Sequence, residues 1–85
     1  MDFQSKVIKE MESKGYLVIK HISLNKSGFP DIQCIKKDCQ DIWIEVKKNG
    51  DTLKELQKYR IDQLNSLGKN AYCMHETKGI IYPFK

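Results

Sequence analysis

The chain has no apolar run near the length of about eighteen residues that crosses a bilayer, and its first residues, MDFQSKVIKE, lack the apolar centre of a secretory signal. A soluble protein of the cytoplasm is expected, the host cytoplasm if the chain is phage-encoded. It also lacks a CxxC pair: Cys34, Cys39 and Cys73 are an odd number, which argues against a secreted disulfide framework and fits a reducing compartment. Internal repeats, linkers, low-complexity tracts, zinc-finger spacing and a recognition-helix signature are missing as well.

What is present is compact. Eighty-five residues, 40% hydrophobic and 31% charged, suffice for a single domain spanning residues 1–85 and no second one. A core this small makes a partner subunit a reasonable source of added stability. Fifteen Lys and Arg against eleven Asp and Glu give a net charge of +4, a modest excess that favours polyanionic partners.

Periodicity orders the elements. Phe3, Val7, Ile8 and Met11 recur at helical spacing over residues 3–14, and Gly15 stops that helix. YLVIKHI at 16–22 reads as a strand, followed by the turn-prone SLNKSG. DIQCIK (31–36) and DIWIEVK (41–47) flank the polar KDCQ and read as an antiparallel hairpin. A longer helix is expected over 52–67, with Thr52 as N-cap and Gly68 just past its end. NAYCMH and GIIY then pair across ETKG. The order αβββαββ predicts an α/β fold in which helices pack on a mostly antiparallel or mixed sheet.

Strand alternation gives the hairpin its chemistry. Ile42, Ile44 and Val46 share one face, expected to be the core, while Asp41, Trp43, Glu45 and Lys47 share the other. A turn near Asp38 sets residues whose numbers add to about 76 opposite each other, which places Asp31 across from Glu45. Two carboxylates that close repel unless a cation lies between them, and hard oxygen ligands suit Mg2+ or Mn2+. Such a metal keeps positions for water and phosphate, and a lysine beside it stabilises charge on a reacting phosphate. Phosphodiester hydrolysis fits this constellation.

Pro30-Asp31, thirteen intervening residues and Glu45-Val46-Lys47 match the PD-(D/E)XK nuclease pattern. With GFPD before the hairpin, Gln57 on the helix after IEVK, Gly68 at that helix's end and a strand beyond, the chain resembles the VRR-NUC (virus-type replication-repair nuclease) branch over residues 3–82. The resemblance implies a restriction-endonuclease-like core in which Asp31, Glu45 and the Val46 carbonyl bind the metal. It further implies that Lys47 is the catalytic lysine and that Gln57 orients Lys47 or the attacking water. Family members often add an acid from the first helix, for which Glu10 is the best substitute and Asp2 a weaker one. Small stand-alone members resemble junction resolvases, so a homodimer acting on branched DNA, such as a Holliday junction, is implied.

Lys26, Lys48, Lys54, Lys58 and Arg60 bracket the GFPD loop and the second helix and are candidate contacts to DNA phosphates, which hold a backbone without reading bases. Blander readings stand beside these. Glu45 and Lys47 could form a solvated ion pair, and Gln57 could be a surface residue. Cys34, Cys39, Cys73 and His75 invite a zinc reading, but their spacing is poor and buried thiols are expected instead. A nucleic-acid-binding module without hydrolysis, or a protein-interaction domain, is the alternative to a nuclease.

Overall fold

The computed structural model describes residues 1–22 and 24–83; Ser23, where the turn-prone loop was expected to begin, lies outside the described residues. Its elements follow the expected order: α1 (Phe3–Ser13), β1 (Leu17–Lys20), β2 (Ile32–Ile35), β3 (Ile42–Lys47), α2 (Glu55–Ser66), β4 (Asn70–His75) and β5 (Gly79–Tyr82). The sheet order is β1-β2-β3-β4-β5, antiparallel except for the parallel pair β3–β4. A parallel pair cannot be joined by a hairpin, and α2 is the crossover that joins this one.

The expectation of one apolar face as the core is corrected. Val7 and Met11 of α1 pack on Ile32, Cys34 and Ile44, whereas Ile61 and Leu64 of α2 pack on Ala71 and Cys73, with Trp43 and Leu53 alongside. Each face of the central strands therefore has its own helix and its own small core. Alternation still holds, but the Glu45 face lies under α2 rather than in solvent, and Glu45 is 3% exposed.

α2 also starts later than expected. Lys54, not Thr52, is the N-cap, and its backbone N–H is received by Gln57 Oε1 at 2.9 Å. Residues 51–54 stay outside the helix, and Leu53 packs against the α2 core. The helix ends as expected: Gly68 (φ +84°) donates to the Asn65 carbonyl and Lys69 to that of Leu64, the paired closure favoured by a left-handed glycine.

Candidate active site

Three segments meet at the C-terminal end of β3. The β2–β3 register pairs Ile32 with Ile44, so the next position outward sets Asp31 against Glu45, as the sum near 76 predicts. Asp31 is held twice: its carbonyl receives the His21 N–H at 2.7 Å, and its Oδ2 receives the Val46 N–H at 3.3 Å.

The loop carrying Asp31 is fixed by packing. Gly28 has φ +85°, and a Cβ there would lie 2.6 Å from Leu56 Cγ, so only glycine lets the loop close on α2. Pro30 is fully buried, and Phe29 leans on Trp43 with ring centroids 6.3 Å apart. Arg60 reaches from α2 to donate to the Ser27 carbonyl at 3.0 Å while lying over the Phe29 ring.

Glu45 is the most perturbed group in the site. Its Oε2 receives Gln57 Nε2 at 3.3 Å and lies 3.4 Å from Lys47 Nζ, while its Oε1 is buried with no hydrogen-bond partner. Burial first, and then the neighbouring Asp31 charge, push its carboxyl up to about 7 despite the pull of Lys47. An ionised carboxylate with one oxygen unsatisfied in a dry site is costly unless a cation completes it. An oxygen-preferring divalent ion matches a pair of carboxylates of this kind. Among the described residues no group of three or more His, Cys, Asp or Glu side chains is arranged to hold a metal ion.

The other candidates distribute as follows. Gln57 contacts Glu45 rather than Lys47, and its second amide atom caps α2, a double use that helical spacing alone did not reveal. Glu10 does not join the site: it lies on α1, across the sheet from the Glu45 carboxylate, and pairs with Lys14 at 3.8 Å with both side chains exposed. Asp2 lies close enough to Lys48 and Lys20 to feel their charge, but its carboxylate receives the Ser5 N–H at 2.8 Å as the N-cap of α1. That hydrogen bond, more than the two lysines, holds its carboxyl below the usual range.

Lys26 lines a cavity of about 300 Å3 together with Asp31 and His21. Lys48 and Lys54 are exposed, and Lys58 pairs with Glu55 at 3.2 Å. Arg60 Nε and Nη1 are engaged within the chain, by Ser27 and Gln63, and its role here is to fasten the loop. Cys34 and Cys73 are buried thiols on opposite faces, both pushed up by burial, Cys73 to about 11, whereas Cys39 is exposed in the β2–β3 turn and not buried as expected.

Sequence reasoning missed His21. Its ring stacks on Trp43 with centroids 5.1 Å apart, and its Nε2 lies 3.1 Å from Gln33 Oε1, whose amide in turn donates to Asp41 at 3.1 Å. The β1–β2 register that sets His21 opposite Asp31 spans a long loop, so no turn signal fixed it in advance.

A family model described as the VRR-NUC domain matches residues 3–77. A solved structure described as a VRR_NUC domain is similar, with a TM-score of 0.71 and 24% identity over 82% of this chain and 76% of that one. The Holliday junction resolvase Hjc of the archaeal hyperthermophile Archaeoglobus fulgidus is also similar, with a TM-score of 0.65 and 22% identity over 86% of this chain and 64% of that one. The chain thus spans slightly under two thirds of Hjc. No curated protein sequence matches it.

Proposed function

Because this chain belongs to the VRR-NUC domain family, a branch of the PD-(D/E)XK nucleases, we propose that it is an endodeoxyribonuclease, dependent on Mg2+ or Mn2+, that cuts branched DNA such as a four-way junction. The observation that carries this reading is the buried, unpartnered Oε1 of Glu45 beside Asp31. A binding module without chemistry has no use for an ionisable group kept in that state.

Asp31, Glu45 and the Val46 carbonyl would hold the metal, which when bound supplies positive charge to polarise the phosphate and its attacking water. The chain's own residues do the rest. Lys47, 12% exposed and 3.4 Å from Glu45 Oε2, presents its ammonium where negative charge develops on the phosphate. Gln57 fixes the Glu45 rotamer through Oε2, leaving Oε1 free for the metal. The Val46 N–H fixes Asp31, so both carboxylates are set before substrate arrives.

Lys26, Lys48, Lys54 and Lys58 would hold phosphates without reading sequence, so that selection would rest on DNA shape. The similarity to Hjc, described as a Holliday junction resolvase, supports a branched substrate; the homodimer that cuts two strands is our reading from the small core. Leu17 and Ile22, 64% and 89% exposed at the β1 edge, are apolar surface such a partner would cover.

The test compares a four-way junction, a flap, splayed arms and a linear duplex, each with Mg2+, Mn2+ or chelator. Cleavage of the branched forms in metal and none in chelator is expected. Cleavage undiminished by chelator contradicts the reading.

A further inference from the structure

A second cavity, of about 290 Å3, opens next to the candidate active site and takes no part in the chemistry assigned to it. His75 closes β4 in parallel register with Lys47, and paired strands lie about 4.8 Å apart, so the two side chains stand next to each other on the α2 face. His75 is 5% exposed, and its Nδ1 accepts the backbone N–H groups of Thr77 at 3.2 Å and Lys78 at 3.3 Å. Two donors on Nδ1 leave the ring proton on Nε2. That N–H has no partner among the described residues, and His75 lines the cavity.

Two lysines line the same space, Lys58 from α2 and Lys78 from the β4–β5 turn. Among the described residues Lys58 is otherwise paired with the largely exposed Glu55, a contact of little worth in water. Leu53, Ile81 and Tyr82 make the remainder mostly apolar, with Asp51 and Thr52 as its further polar groups. Donors and cations beside an aliphatic and aromatic surface suit an anion that carries a flat ring.

We propose that this cavity receives one unpaired nucleotide of the DNA, adjacent to the phosphodiester that is cut. Its phosphate meets Lys58, Lys78 and the His75 Nε2–H, its base lies against Leu53, Ile81 and Tyr82, and Asp51 with Thr52 can bond the base edge. Stacking on such a surface tolerates any base. A base inside continuous duplex would have to leave its stack on both sides, whereas at a branch point stacking is interrupted and extrusion costs less, least of all for an unpaired base. The inference rests on the nuclease reading above and gives it a physical source of branch selectivity.

The probe is a four-way junction carrying an unpaired 2-aminopurine at the branch, titrated in chelator with the wild-type chain and read by fluorescence, with cleavage measured separately in Mn2+. A saturable change is expected, weakened at least about tenfold by Lys78→Glu. Lys78 is exposed, so this substitution leaves both cores untouched. Lys37→Glu makes the same charge change in the exposed β2–β3 turn and is expected to weaken the signal far less. No fluorescence change with wild type, or equal losses in the two variants, overturns the cavity's role. A wild type that cleaves without altering the fluorescence sinks the cavity alone; one that alters it but cleaves no DNA sinks the nuclease reading alone.

Discussion

Replacing Glu45 by Gln is expected to stabilise the metal-free protein at pH 8 while abolishing cleavage. The Glu45 carboxyl is raised from 4.5 to about 7, mainly by burial and then by Asp31. The folded chain therefore binds this proton more tightly than the unfolded chain. The associated stability is complete below about pH 4.5 and is lost as pH rises to about 7, amounting to roughly 3 kcal/mol by pH 8. Gln carries no charge and escapes that loss, in which the attraction of Lys47 is already counted, but it brings an amide that needs its own partners. A net gain of about 1–2 kcal/mol at pH 8 remains, equivalent to a Tm higher by about 5–10 °C in a chain this short. At pH 5 the two proteins should differ little. Urea and thermal unfolding, followed by circular dichroism in excess chelator at both pH values, measure this directly. Glu45→Gln less stable than wild type at pH 8, or a difference independent of pH, would refute the claim that the site is built around a charge awaiting a cation.

Asp31→Ala and Lys47→Ala should each abolish cleavage of a junction in Mn2+ while circular dichroism shows an intact fold; residual cleavage by Lys47→Ala would remove it from the chemistry. Gln57→Ala should cost about 1 kcal/mol in urea unfolding, because it uncaps α2, and should lower kcat more than it raises KM, because it frees the Glu45 rotamer. An unchanged kcat would leave Gln57 a helix cap and nothing more. Gly28→Ala combines a left-handed backbone with a Cβ 2.6 Å from Leu56, so a loss of about 1–3 kcal/mol is expected, together with weaker cleavage as Asp31 shifts.

Much of this was legible in the sequence because short-range rules govern it. Alternation in DIWIEVK and the turn at Asp38, whose φ is +60°, set Asp31 opposite Glu45, and the structure keeps that register. NAYCMH and GIIY form strands with the expected bounds. What escaped depends on contacts between distant segments. Which face α2 covers decides that Glu45 is buried, and no local pattern states it. The start of α2 moved to Lys54 because Gln57 caps the helix from inside, so the hydroxyl of Thr52 was not needed. Glu10 was the best substitute for a third acid, yet α1 packs on the Ile44 face and carries Glu10 away from the carboxylate pair. His21 and His75 gave no sequence signal because strand register alone brings each beside a site residue.

The central claim is that the Asp31 and Glu45 carboxylates form a divalent metal site, and calorimetric titration of the metal-free protein with Mn2+ tests it most directly. Saturable binding by wild type, lost in Glu45→Ala with the fold intact, is the predicted result. No binding by wild type, or binding unchanged in Glu45→Ala, would contradict it.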